Sequence, residues 1–176
     1  ESESRGLGDV YKRQDIEGAG QSFEKALSIT DNATVSNNVA AVKHRQSGKG
    51  SDDIISYFEA SNTPESKYNL GLINIQNGKY DEAITFMGES KSFSVALVNV
   101  LSEKYDVASD ILANLNSDNA SVNYLKAVIG SRTDNTELMT ESLESAFSAD
   151  PSLKDKAKND REFIKYFENA DFLAIF

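Results

Sequence analysis

Few residues in this chain combine the type and spacing that chemistry needs. His44 is the only histidine, so a Ser-His-Asp triad would have to be built around it, with its nucleophile on a sharp elbow. No G-x-S-x-G occurs. In Val39-Ala40-Ala41-Val42-Lys43-His44-Arg45 the imidazole falls at the end of a helical stretch between two basic residues. Cations suit the C-terminal dipole there, which makes a surface or half-buried structural histidine. Asp52-Asp53 and Asp81-Glu82 are adjacent carboxylates; neighbours in sequence do not face one another on a helix, and no calcium-loop pattern follows. Their place in first helical turns complements the dipole. Glu137, Glu141 and Glu144 share one helical face, flanked by Thr140 and Ser145, and read as solvated.

Ser47-Gly48-Lys49-Gly50-Ser51 resembles a phosphate cradle only superficially. It lacks the G-x-x-x-x-G-K-[ST] spacing and a preceding strand, and reads as an inter-helix turn. Asn32-Ala33-Thr34 and Asn119-Ala120-Ser121 are formal glycosylation sequons of the kind that Asn/Ser-rich turns generate by chance. With no cysteine, a thiolate nucleophile, a disulfide or a cysteine metal site is excluded. The expectation is no catalytic residue, no cofactor, no metal ligand set, and no enzyme.

What remains is the scaffold. A chain of 176 residues suits one domain or a run of small repeats. Hydrophobic residues at 39% and aromatics at 9% belong to a folded protein and not to an acidic disordered segment. The net charge of -10 gives no basic footprint for nucleic acid and no attraction to an anionic membrane. No apolar run approaches the roughly 18 residues of a membrane span, so membrane insertion is not expected. The charge is uneven: residues 51–150 hold 6 basic and 16 acidic groups, while the flanking segments balance. Only 2 prolines among many helix formers predict a mostly helical chain.

Residues 1–14 have no helical apolar stripe, and a helical period begins at Asp15. Asp9 to Gln14 back-translate as GAT GTG TAT AAG AGA CAG, which resembles a transposon-end adapter used in sequencing libraries. The segment reads as a foreign leader on a truncated metagenomic gene, with an ordinary flexible leader as the alternative. The start lacks an initiator Met and a signal peptide's apolar core, as in a fragment or a processed form.

From Asp15 onward one grammar repeats. Asn77-Gly78-Lys79-Tyr80-Asp81-Glu82-Ala83-Ile84 and Ser102-Glu103-Lys104-Tyr105-Asp106-Val107-Ala108-Ser109 are turns opening helices, 25 residues apart. In each, an aromatic sits three residues before an alanine, on the same face. The helix Pro64 to Gln76 opens on a proline at a position where a missing N–H costs nothing, with Thr63 or Asn62 as N-cap. Tyr68, Leu72 and Ile75 make one stripe, Leu70 and Ile73 an adjacent one, so this helix needs neighbours on two sides. Gly71 within it costs about 1 kcal/mol relative to Ala, compensated by close helix approach. Ala120 to Gly130 and Glu137 to Phe147 repeat the pair and stop at Asp150-Pro151. Ile16, Ala19, Phe23, Ala26 and Leu27 make an earlier second helix, and Val35 to Arg45 and Asp52 to Phe58 another pair. Helix pairs at a period of 25 to 34 residues, none able to bury its own apolar faces, mean a solenoid.

Here the pattern resembles the tetratricopeptide repeat. Leu70-Gly71, Gly78, Tyr80, Ala83 and Met87 follow its signature. Ala19, Phe23 and Ala26 carry an earlier second helix, and Ala127, Leu143, Ala146 and Pro151 a later repeat in which Met139 replaces the signature alanine. The unit 89–113 is short, with Val95-Ala96 where Leu-Gly would sit. The resemblance covers about residues 15–151 and implies an all-α, right-handed superhelical solenoid of about four hairpins closed by a C-terminal capping helix at 152–176. In that tail Leu153, Ala157, Asp160, Phe163, Ile164 and Phe167 are expected on one helix, Phe172, Ile175 and Phe176 on a short final one, and Lys154, Lys156 and Lys158 on the solvent side. Lys156 to Phe167 also resembles the closing segment of Bacteroidetes repeat proteins, some joined to outer-membrane peptidoglycan-binding domains. That likeness implies a periplasmic or outer-membrane-associated protein; the cytoplasm is the alternative.

The resemblance further implies non-catalytic binding of a protein or peptide along a concave groove lined by first helices. Its positions here are Asn37, Asn38, Ala41 and His44; Tyr68, Asn69, Leu72 and Ile75; Phe93 and Leu97; and Tyr124 and Val128. Asn38 and Asn69 resemble the family's peptide-backbone-holding asparagine. The family's carboxylate clamp also needs lysines and a second asparagine where this chain has Leu72 and Ala41, which speaks against an acidic C-terminal peptide. Tyr68, Phe93 and Tyr124 read equally as core aromatics packing hairpin on hairpin. Acidic charge on second helices and turns would leave the outer face negative and favour an apolar or mildly basic partner. Docking through the cap and outer face, as part of an envelope assembly, is the second reading.

Overall fold

The computed structural model describes residues 2–88 and 90–176, with side chains from Asp15 onward. Among them every regular element is helical, as the all-α repeat reading expects. The foreign-leader reading of residues 1–14 concerns side chains outside the described ones. The chain divides into two compact units, Glu1–Gly88 and Glu89–Phe176.

The first unit holds α1 (Ser2–Ile29), α2 (Ala33–Ser47), α3 (Asp52–Ser61), α4 (Pro64–Gln76) and α5 (Tyr80–Met87). Each packs on its neighbour in sequence, α2 with α3 and α4 with α5 forming the hairpins. Ala40, Ile54, Phe58, Leu70 and Ile73 make the core. Each large side chain there is worth about 1.5–3 kcal/mol of burial. Thr63, and not Asn62, caps α4, its Oγ1 accepting from Ser66 N at 3.1 Å. Asn62 instead closes α3 in the left-handed region. Gly71 is buried against α5: a Cβ there would run into Met87 Cγ and lie 3.3 Å from the Ala83 carbonyl. Close approach thus answers for the glycine's propensity cost.

The second unit holds α6 (Phe93–Leu101), α7 (Tyr105–Ala113), α8 (Ala120–Arg132) and α9 (Thr136–Ala149), again as two hairpins. The shortness expected of the 89–113 hairpin is seen in two helices of 9 residues each. Val100, Leu112, Leu125, Met139 and Leu143 fill the interior together with Phe163 and Phe172 from the tail.

The three later hairpins share one turn. Lys79 N donates to Asn74 O, Lys104 N to Asn99 O and Asn135 N to Gly130 O, each at 2.8 Å. The preceding residue is left-handed each time: Gly78 at φ 72°, Glu103 at 60° and Asp134 at 57°. This six-to-one bond with a left-handed residue is a Schellman closure. Only the first copy uses the residue without a Cβ penalty. The 25-residue spacing of Tyr80 and Tyr105 therefore marks a repeated backbone conformation as well as a repeated sequence.

The tail departs from expectation. In place of one helix through Phe167 there are α10 (Leu153–Ala157), a 3-10 helix (Arg161–Tyr166) and α11 (Ala170–Ala174). The break falls at Asp160, which is extended and turns its carboxylate back to accept from Glu162 N at 3.1 Å. Aspartate's local capping competes with helix continuation, and the other carboxylate oxygen is held from α8. The lysines are also not simply solvated: Lys154, Lys156 and Lys158 lie over the rings of Phe147, Tyr124 and Phe176.

Candidate functional site: an apolar cleft in the second unit

Four of the predicted groove residues meet in one place. Phe93 and Leu97 of α6 and Tyr124 and Val128 of α8 line a cleft of about 270 Å³, with Val100, Leu101, Leu125 and Leu153 completing its apolar surface. Helical spacing explains the convergence: four-residue steps put Phe93 above Leu97 and Tyr124 above Val128. Phe93 and Leu97 are half-buried, whereas Tyr124 and Val128 are each only 7% exposed. For Tyr124 the cause is the tail, which covers one side of α8.

Polar groups rim the cleft, and nearly all are matched. The Tyr124 hydroxyl donates to Asp160 Oδ2 at 2.8 Å, and its ring meets Phe163 edge-on at 5.6 Å. Burial, reinforced by the bond to Asp160, pushes the phenol well above its ordinary range. Arg132 grips Glu162 with both prongs, Nε to Oε2 at 2.8 Å and Nη2 to Oε1 at 2.6 Å, and its Nη1 donates to Val100 O at 3.1 Å. That carboxylate holds the guanidinium even more firmly protonated than usual. Ser131 Oγ donates to Glu162 O at 2.5 Å. Lys156 stands with its ammonium 4.4 Å from the Tyr124 ring centroid, a cation–π distance. The arrangement can grip an apolar group; it has no nucleophile paired with a base.

The first unit presents the other eight predicted positions. Asn37, Asn38, Ala41, His44, Tyr68, Asn69, Leu72 and Ile75 are all half-buried. Two rungs join α2 to α4: Asn69 Nδ2 donates to Asn37 Oδ1 at 3.2 Å, and His44 Nε2 lies 3.2 Å from Gln76 Oε1. Asn37 Nδ2 in turn reaches Asn38 Oδ1 at 3.4 Å. His44 is thus an inter-helix tie. Lys43 beside it pairs with Glu24 at 2.7 Å, and that bond raises its pKa.

The remaining motifs have local roles. Both sequon asparagines are N-caps: Asn32 Oδ1 accepts from Thr34 N at 2.9 Å and Asn119 Oδ1 from Ser121 N at 2.9 Å. Asp52 and Asp53 lie in the first turn of α3, Asp81 and Glu82 in that of α5. Glu137, Glu141 and Glu144 are exposed. Among the described residues no three histidine or carboxylate side chains gather as a metal would need. No helix among them is long and apolar enough to cross a membrane. The sequence did not reveal Lys156, Asp160, Glu162 and Arg132 as parts of the cleft; periodicity places a residue on a face of its own helix, and the first three, from the tail, meet Tyr124 and Arg132 of α8 only across 30 to 36 residues of chain.

Residues 64–92 match the family model of the tetratricopeptide repeat. Repeats of this family generally mediate protein–protein interaction and are generally non-catalytic. The match begins at the first residue of α4 and takes in the whole of the α4–α5 hairpin. No curated protein matches the chain.

Proposed function

We propose that this chain is a non-catalytic protein–protein interaction module, a scaffold or adaptor that seats a peptide or helix against its first helices. The observation that carries the reading is the convergence of Phe93, Leu97, Tyr124 and Val128 on one cleft. An aromatic and aliphatic pocket within a polar rim is the anatomy of an interface anchor. The half-buried positions Asn37, Asn38, Ala41, His44, Tyr68, Asn69, Leu72 and Ile75 offer a second, more polar surface in the first unit.

The test is selection of phage-displayed random peptides on the full chain, followed by titration of the winners against Leu97→Asp. The expected result is loss of binding with an unchanged helical circular-dichroism spectrum. Peptides that bind the variant equally well would remove the cleft from the function.

A second reading has one observation in its favour. On the tail, Ile164 is 65% exposed and Leu173 57% exposed, which suits docking through the cap in a bacterial periplasmic or outer-membrane assembly. Under it, Ile164→Asp with Leu173→Asp abolishes assembly while Leu97→Asp does not. The adaptor reading predicts the reverse and is equally at home in the cytoplasm.

A further inference from the structure

We propose that the cleft of the second unit takes one large apolar side chain with an aspartate or glutamate close beside it in the same segment, the carboxylate pairing with Lys156. This rests on the interaction-module reading and specifies its partner. Two observations carry it: the size of the cleft and the cation at its edge, Lys156, whose donors no carboxylate among the described residues takes up.

At about 270 Å³ the cleft falls just below the roughly 300–1,000 Å³ of pockets that enclose whole small molecules. It suits a single anchoring side chain, against the apolar surfaces of Phe93, Leu97 and Val128. The charges at its edge are then decisive. Both Glu162 oxygens are engaged by Arg132. Both Asp160 oxygens are engaged, one by the Tyr124 hydroxyl and one by Glu162 N–H. Lys156 is exposed, and among the described residues no carboxylate pairs with it. Its ammonium has a ring face on one side only, 4.4 Å from the Tyr124 centroid. Three donors belong to that group, and the ring leaves the outward ones to a ligand. The cation–π contact holds the charge at the cleft before any partner arrives.

The chain's overall acidity does not oppose this. Repulsion from the acidic residues of 51–150 is screened beyond about 8 Å at physiological salt, whereas a carboxylate on Lys156 acts at contact. The tail itself, residues 151–176, carries 5 basic and 5 acidic groups. The recognised acid is a side chain beside the anchor in a chain segment, so the asparagines and lysines of a terminal-carboxylate clamp are not required.

The test is a peptide array in a Gly/Ser background, each peptide with one Leu or Phe and a Glu, Gln or Lys at each nearby position in turn. It is probed with the full chain and with Lys156→Met, Lys156→Glu and Leu97→Asp. Glu peptides are expected to bind about five-fold tighter than Gln peptides, the upper end of what an exposed ion pair supplies. Lys156→Met should erase that preference, and Lys156→Glu should transfer it to the Lys peptides. If Leu97→Asp abolishes binding but Glu, Gln and Lys peptides bind the unaltered chain alike, the acidic partner is overturned and the cleft stands. If no apolar peptide binds, or Leu97→Asp changes nothing, the interaction reading of the cleft falls as well.

Discussion

Tyr124 and Asp160 are joined hydroxyl to carboxylate at 2.8 Å, and the same aspartate starts the 3-10 helix by accepting from Glu162 N. One residue therefore interrupts the tail helix and fastens the interruption to α8. With the edge-on contact of Tyr124 and Phe163, this bond sets the wall of the cleft.

Tyr124→Phe separates the hydroxyl from the ring. Burial first, then the bond to Asp160, raises the phenol's pKa. The folded chain thus keeps a proton that the unfolded chain releases above about pH 10. The resulting stabilisation is complete below that pH and declines as pH rises beyond it. Urea unfolding from about pH 9 to 11.5 should show a steeper loss of stability for the unaltered chain than for Tyr124→Phe. At neutral pH the variant should cost about 1 kcal/mol, the worth of one hydrogen bond whose acceptor water can partly reach. Parallel pH profiles would show that the Tyr124 phenol does not carry this pH dependence.

The repeated turn predicts opposite signs at equivalent positions. Glu103 occupies the left-handed region where the previous hairpin has Gly78. Glu103→Gly should stabilise the second unit by about 0.5–1 kcal/mol, and Gly78→Ala should cost the first unit about 1 kcal/mol. Asp134→Gly should gain less than Glu103→Gly, because aspartate tolerates the left-handed region better than glutamate does. Thermal unfolding of the three variants tests the ranking. A destabilised Glu103→Gly would mean that its side chain outweighs its backbone strain.

Gly71→Ala reads out the closeness of α4 and α5. The added methyl would overlap Met87 Cγ, a mid-chain atom of a side chain only 6% exposed. Helix propensity favours alanine by about 1 kcal/mol, while overpacking costs about 1–3 kcal/mol. Net destabilisation is expected, and Met87→Ala in the same chain should relieve the overlap. Chemical denaturation of the two single variants and the double variant gives the coupling; additive effects would mean that the helices can separate at no cost.

The sequence made the hairpins legible because their determinants are local. Gly78-Lys79-Tyr80 and Glu103-Lys104-Tyr105 announce turns, Pro64 announces a helix start with Thr63 or Asn62 as its cap, and Gly71 announces a close approach. About a third of the cleft's lining was legible for the same reason: Phe93 with Leu97, and Tyr124 with Val128, are four-residue steps on single helices. The tail was not. Leu153 to Phe167 carries a helical apolar period, yet Asp160 interrupts it because Tyr124, 36 residues away, supplies a donor for its carboxylate. Lys156 looked solvated because its ring partner lies on α8. Period and propensity describe a segment alone, and these contacts depend on where a second segment lies.

Arg132 reaches two elements at once: Glu162 of the 3-10 helix and the Val100 carbonyl of α6. The pair is partly exposed, with side-chain exposures of 26% and 33%, so solvent screening keeps its worth well below that of a buried pair. Geometry adds to charge here, because a guanidinium can fork onto the carboxylate and still offer Nη1 to Val100, while an ammonium has no such planar fork. Arg132→Lys should therefore lower stability by about 1 kcal/mol despite keeping the charge, and Arg132→Met by about 1–2 kcal/mol. Lys165→Met removes a far more exposed pair, with Asp134 82% exposed, and should change stability little. Urea unfolding at low and at roughly 1 M salt separates the contributions: salt should shrink the charge effect in Arg132→Met and leave the Arg132→Lys deficit nearly intact. Equal stability of Arg132→Lys and the unaltered chain would show that charge alone, and not the fork, holds the tail to α8.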